Sequence, residues 1–226
     1  MPLLGTAAIL LSFDVDIEAI KEHDRWHTNE HLPERLSISG FCRGTRWVAT
    51  AGDPRYMVLY EVESLETLAS EAYLARLNNP TPWTTRIMLH YRGMTRGLCA
   101  VLGSFGYGQG GVAALIRFTA EEPNVTQLHR WLLEEVLPKV PQLVGLGSAH
   151  LLQGVQSAAM TNEQSIRGLD RGVDRALIVT GYDDNAVTAY AQQLCATGGL
   201  SSRGARELTS AIYRWGYSLT SAEIGA

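Results

Sequence analysis

The chain has 226 residues, of which 46% are hydrophobic and 19% charged, enough to bury the core of one large domain or two small ones. A net charge of -4 provides no basic field for a phosphate backbone, which excludes nucleic acid as an expected partner. Cys42, Cys99 and Cys195 are odd in number, far apart and without a CxxC spacing, so a reducing cytoplasm is expected rather than a disulfide framework. Residues 1–13 are apolar but lack a basic leading segment and run straight into Asp14 and Asp16, unlike a signal peptide. No apolar run approaches the ~20 residues that cross a bilayer, so no membrane partner is expected.

Taken in chain order, periodicity predicts a strand over 8–15, a helix over 17–32, a strand over 41–50, a turn over 51–55 and a β-rich run over 56–62. A helix over 65–77 opened by Ser64 follows, then a long strand over 85–101. The order βαββαβ is that of a ferredoxin-like unit. It is expected again over 112–118, 125–137, 148–155, 175–182, 185–197 and 212–219. Residues 103–111 read as a Gly-rich linker. Their formal GxGxxG at Gly106 to Gly111 precedes a strand, whereas a dinucleotide site needs a helix N-terminus there. The polar stretch 156–174 reads as surface decoration, with a lid as the alternative.

Sliding the chain by 105 residues, without a gap, pairs Phe13 with Phe118, Trp26 with Trp131, Glu30 with Glu135, Leu32-Pro33 with Leu137-Pro138 and Gly40 with Gly145. Two repeats are therefore expected, 1–102 and 112–226. Together they form an eight-stranded antiparallel α+β barrel, because pairing buries the edges and faces that each sheet leaves open. Residues shared by both repeats are assigned to the scaffold, and the proline is expected to end the helix. Polar positions of the first repeat that face apolar or small ones in the second mark the site: His27 against Leu132, His31 against Val136, Arg35 against Val140, Arg43 against Ser148 and Trp47 against Leu152. His23, against Leu128, is assigned to the helix surface.

His23, His27, His31 and Arg35 recur every four residues and share a helical stripe. Alternation puts Phe41, Arg43, Thr45 and Trp47 on one face of their strand, where a buried arginine needs a carboxylate or a ligand anion. Trp47, Tyr60 and Tyr91 are candidate pocket walls. His27-x3-His31 has helical metal-ligand spacing, with Glu30 or Asp24 as third ligand, but no second ligand cluster supports a metal. His129 and His150 are the residues a haem reading would use as axial ligand.

Trp26-His27-x3-His31-Leu32-Pro33-Glu34-Arg35, followed by Gly40-Phe41-x-Arg43-Gly44-x-Arg46-Trp47, resembles EthD-like proteins of the dimeric α/β-barrel superfamily. That resemblance implies a small apolar pocket between sheet and helices, with His31 as its polar actor. The superfamily spans isomerases, cyclases, cofactor-free monooxygenases and haem enzymes, so the fold alone does not select a reaction. The expected activity needs no cofactor and no metal. It is proton transfer on a small aromatic, lactone or polyketide-like carbonyl compound, with His31 as acid/base, His27 orienting it, Arg43 holding an anion, and Trp47, Tyr60, Tyr91 and Arg35 binding substrate. The alternatives are a barrel that binds a hydrophobic metabolite without transforming it, an assembly partner, and a haem enzyme. A further homodimer is left open.

Overall fold

Near-continuous apolar runs make strands whose two faces both need burial, and a closed sheet with helices outside satisfies both. The computed structural model describes residues 3–155 and 160–224. Its first half runs β1 (Ala7–Val15), α1 (Ile20–Trp26), a π-helical turn (His27–His31), α2 (Leu32–Leu36), β2 (Phe41–Ala51), β3 (Tyr56–Val62), α3 (Glu71–Asn78), α4 (Pro82–Met88) and β4 (Tyr91–Gly106). The second runs β5 (Val112–Thr119), α5 (Asn124–Trp131), another π-helical turn (Leu132–Val136), β6 (Leu146–Val155), α6 (Asn162–Arg167), β7 (Arg175–Gly181), α7 (Asp184–Cys195) and β8 (Arg206–Thr220). The strands close in the order β1-β3-β2-β8-β5-β7-β6-β4, all neighbours antiparallel. The architecture is the expected eight-stranded α+β barrel, with β2–β8 and β4–β6 as the seams between halves.

The period of two along each strand divides the core into three. On β3, Met57 and Leu59 point into the barrel beside Leu10, Trp47, Leu115 and Tyr213. Tyr56, Val58, Tyr60 and Val62, the alternate residues, face the helices of the first half with Phe13, Trp26 and Tyr91. A separate cluster lies under α5 and α7. Phe41 belongs to the helix side although Arg43 does not, because a bulge shifts the β2–β3 register between them. The expected single face from Phe41 to Trp47 is therefore corrected at Phe41.

Other boundaries also move, each for a local reason. Ser64 is followed only by a 3-10 turn; α3 is opened by Ser70, whose hydroxyl accepts from Tyr73 N at 3.3 Å. The strand expected from Thr85 starts at Tyr91, because the Thr81 hydroxyl caps α4 through Thr84 N at 3.0 Å and Pro82 suits its first turn. Strand β4 continues to Gly106, leaving 107–111 as the connection.

Pro33 does not end the helix as expected. A proline lacks the N–H of an α-helical bond and crowds the carbonyl four residues back. The chain responds by widening the preceding turn: Leu32 N donates to His27 O, five residues earlier, and helix resumes as α2. Leu137 N donates to Leu132 O in the same way before Pro138. Gly40 and Gly145 both take φ 87°, a conformation that favours glycine, on entry to β2 and β6.

The stretch 156–174 is corrected from surface decoration. Residues 156–159 lie outside the described part, but α6 packs its Ile166 against the first-half core and buries Glu163. The segment then returns along the barrel, where Gly154 N donates to Asp174 O at 2.8 Å. A Cβ at Gly154 would lie 1.8 Å from the Val173 carbonyl oxygen. Gly154→Ala is expected to cost about 1–3 kcal/mol by forcing backbone apart, read as a drop of several degrees in Tm by calorimetry. Among the described residues no helix is long and apolar enough to cross a membrane.

Candidate active site

The helical run α1–π turn–α2 lays His23, His27, His31 and Arg35 along one buried stripe, with 0%, 2%, 6% and 2% of their surfaces exposed. His23 is thus corrected from a surface residue to a core one. Its ring lies 4.5 Å from that of Tyr56, and its Nδ1 meets Asp24 Oδ1 at 3.2 Å. His27 and His31 line a cavity of about 30 Å³ between this stripe and the outer face of the sheet. Its floor includes Phe13, Tyr60 and Tyr91, and its other sides carry Tyr73, Arg96, Glu163 and Arg167.

The His31 ring sits 4.3 Å from Trp26, which is fixed in turn: its indole N–H donates to Glu30 Oε1 at 3.1 Å and Thr84 Oγ1 at 3.2 Å. Glu30 also accepts from Thr81, tying the π turn to the start of α4. These are positioning contacts, and they leave the histidine rings toward the cavity. In the second half the corresponding stripe is Leu128, Leu132 and Val136, packed as ordinary core.

Five of the seven residues expected to form a site meet here: His27, His31, Arg35, Tyr60 and Tyr91. Arg43 and Trp47 do not. Trp47 fills the barrel interior, and Arg43 points the same way, where Nε and Nη2 donate to Glu61 at 2.6 and 2.8 Å. The sheet separates both from His31, so neither can touch a substrate in this cavity. The residues that sequence reasoning missed are Tyr73, Arg96, Glu163 and Arg167.

The electrostatics follow from burial among arginines. Arg35 Nη2 donates to Glu163 Oε1 in a very short contact, and Nη1 lies 3.5 Å from Glu34 Oε2. Burial opposes the Arg35 charge, yet Glu163, Tyr73, Tyr60 and Glu34 hold its affinity for the proton above the ordinary arginine value. Arg167 is clamped by Asp170 at 3.0 and 2.8 Å, and Arg96 Nη2 donates to Tyr73 Oη at 3.2 Å. Burial, followed by the charges of Arg35, His23 and Arg167, holds His31 well below the usual imidazole range. Burial and the neighbouring histidines do the same to His27. Both rings are neutral at pH 7. Burial likewise raises the Tyr60 and Tyr91 phenols, keeping them protonated.

Four polar atoms of this site, His27 Nδ1, His31 Nδ1, Tyr60 Oη and Arg35 Nη1, are buried without a hydrogen-bond partner among the described residues. Leaving a buried polar group unpaired costs about 1–3 kcal/mol, so such a concentration at one cavity is characteristic of a site shaped for something else to fill.

Glu30 and Asp24 are both committed, to Trp26 with Thr81 and to Tyr56 with Arg46, so neither completes a metal set with His27 and His31. Among the described residues, Asp16, Glu18 and His90 alone converge as three ligating side chains, at the surface, where Arg92 already donates to Asp16 at 2.5 Å. The haem reading does not fit either. His150 uses both ring nitrogens inside the barrel, Nδ1 with Ser104 at 2.9 Å and Nε2 with Ser148 at 3.2 Å, and His129 Nε2 accepts from Arg175.

The barrel places the chain in the class of ferredoxin-like α+β barrel folds. It is similar to an anthrone oxidase-like protein, with a TM-score of 0.65 and 14% identity over 100% of this chain and 98% of that one. A monooxygenase-type protein of Fusobacterium nucleatum subsp. nucleatum aligns with a TM-score of 0.62 and 7% identity over 96% of both chains. Chlorite dismutase from Candidatus Nitrospira defluvii, solved with imidazole, aligns at 0.54 and 12% over 96% of this chain and 92% of that one. At such identities the likeness is one of fold. No family model matches the chain, and no curated protein matches it.

Proposed function

We propose that the first-half cavity is the active site of an EthD-like, cofactor-independent enzyme that abstracts a proton from a small aromatic carbonyl compound or phenol. The observation that carries this is the set of unpartnered buried polar atoms on His27, His31, Tyr60 and Arg35 around one cavity.

A neutral imidazole is a base ready to accept. Burial first, and then the charges of Arg35, His23 and Arg167, make a His31 imidazolium unfavourable on its own and depress its pKa. Proton transfer from a bound carbon or phenol acid creates the imidazolium and an anion together, and the arginines stabilise the anion as it forms. The Tyr60 hydroxyl, protonated and unpartnered, is a donor for the same oxygen. The enolate or phenolate is electron-rich. Isomerisation, ring closure and reaction with dioxygen differ in the electrophile it then meets, and the likeness to an anthrone oxidase-like protein and to monooxygenase-type proteins favours dioxygen.

The test is isotopic. Anthrone and anthrone carboxylic acids, whose methylene is acidic, are incubated with the protein in deuterated buffer and followed by proton NMR. Exchange faster than in buffer alone is expected for at least one of them. Rates equal to buffer for all of them overturn the reading in favour of a binding barrel.

A further inference from the structure

The cavity in its present form is too small for any aromatic substrate. A benzene-sized guest occupies a cavity of about 150 Å³, against about 30 Å³ here. One wall has to move, and the walls differ in how they are held. The sheet and the α1–α2 run are fixed by ladder bonds and core packing. Helix α6 has six residues, too few to be stable by itself, and rests on the first-half core through the partly buried Ile166. It is tied to α3 by exposed hydrogen bonds from Asn162 to Asn78 at 3.2 and 2.6 Å, and to the site by Glu163 on Arg35.

The contact with Arg35 is incomplete. A guanidinium fork holds a carboxylate best through two parallel N–H donors. Here Nη2 alone reaches Glu163, and Nη1 has no hydrogen-bond partner among the described residues. If α6 withdraws, Arg35 is left as a buried cation facing the enlarged cavity, with Glu34 at 3.5 Å as its nearest remaining carboxylate. A ligand carboxylate would restore the charge balance and satisfy the second nitrogen.

We propose that Glu163 holds the place of a substrate carboxylate: the pocket takes an aromatic carboxylic acid whose anionic group docks on Arg35, displacing the side chain that α6 inserts there in this closed form. The inference rests on the first-half cavity being the substrate site, but it needs no chemistry at His31. It assigns Glu163 as a competitor and Arg35 as the determinant of specificity for anions.

Isothermal titration calorimetry with 2-naphthoate and its neutral amide, 2-naphthamide, tests it on the full chain. Glu163→Gln preserves size and one hydrogen bond to Arg35 while removing the competing charge. The acid is expected to bind this variant about tenfold tighter than the wild type, with the amide changed by less than about threefold. Arg35→Gln/Glu163→Gln, which removes both charges and leaves neither unpaired, is expected to abolish the gain. A gain shared equally by acid and amide, a gain that survives in the double variant, or no measurable binding to any of the three proteins overturns the proposal. Naphthoate binding as expected without catalysed proton exchange removes the catalytic reading alone. Exchange without any dependence of acid binding on Arg35 removes this one alone.

Discussion

Replacing His31 by glutamine is expected to slow proton exchange into a bound anthrone by about 10²–10⁴-fold, the usual contribution of a positioned base. The amide keeps the volume against Trp26, so ligand affinity should change little. The pH profile separates a base from a spectator. Base catalysis needs the neutral ring, and burial with Arg35, His23 and Arg167 sets the His31 pKa well below 6.5. The rate should therefore be flat from about pH 6.5 upward and fall only in acid. A rate in the glutamine variant within a few-fold of wild type, or a profile still rising above pH 7, would remove His31 as the base. His27 touches the same cavity and should have the smaller effect.

The second large effect is on the fold itself. His27, His31 and His150 are buried where burial and nearby positive groups disfavour protonation. His27 faces His23, His31, Arg46 and Arg35; His31 faces Arg35, His23 and Arg167; His150, beside Arg43, is pushed down to about 3. Their folded pKa values lie below the unfolded value of about 6.5, so below that pH the unfolded chain binds protons that the native state refuses. Stability is intact above about pH 6.5 and is lost as pH falls, by up to about 1.4 kcal/mol per unit for each ring. Three rings together cost up to about 4 kcal/mol per unit, a large share of the ~5–15 kcal/mol that holds a typical domain. Glu34 and Glu61, raised by burial, act in the opposite sense, only as pH falls through their own folded values above 4.5. Calorimetry at pH 7.5, 6.5 and 5.5 should show Tm nearly constant over the first step and dropping sharply over the second. His150→Gln should remove one ring's share of the slope, to which His23 and His129, lowered by burial in the same sense, also contribute. A Tm that does not change between pH 6.5 and 5.5 would mean that these rings protonate freely in the native state.

The barrel could be read from the sequence because its signals are local and doubled. Alternation marks the strands, and the 105-residue offset of Trp26, Leu32-Pro33 and Gly40 fits an element order that runs twice. Contrasting the halves located the histidine stripe for the same reason. Three things could not be read in this way. The bulge beside Phe41 depends on pairing with β3, so alternation alone assigned Phe41 the wrong face. Arg43 and Trp47 were placed on a shared face correctly, but which face meets the helices is decided by closure of the whole barrel. Glu163 joins Arg35 from 128 residues away. The local hints were the capping pair Thr161 and Gln164 and the i,i+4 spacing of Glu163 and Arg167, which mark a short helix without saying where it docks.

The seam between β2 and β8 has a consequence for the chain while it is being made. Strand β2 is finished by residue 51, but its outer partner is residues 206–220. A ribosome adding about 5–20 residues per second takes roughly 6–23 s to pass from the end of β4 at Gly106 to the end of β8 at Thr220. For that interval the first half can assemble its own four strands, while β2 remains an unpaired edge. Edges of this kind invite pairing with other nascent chains, and charged residues along them are the usual protection. Arg43 and Arg46 lie on that edge. Arg43, which the finished barrel keeps away from the cavity, pairs with Glu61 of neighbouring β3, a partner already present in the first half, so its charge is held along this edge before β8 arrives.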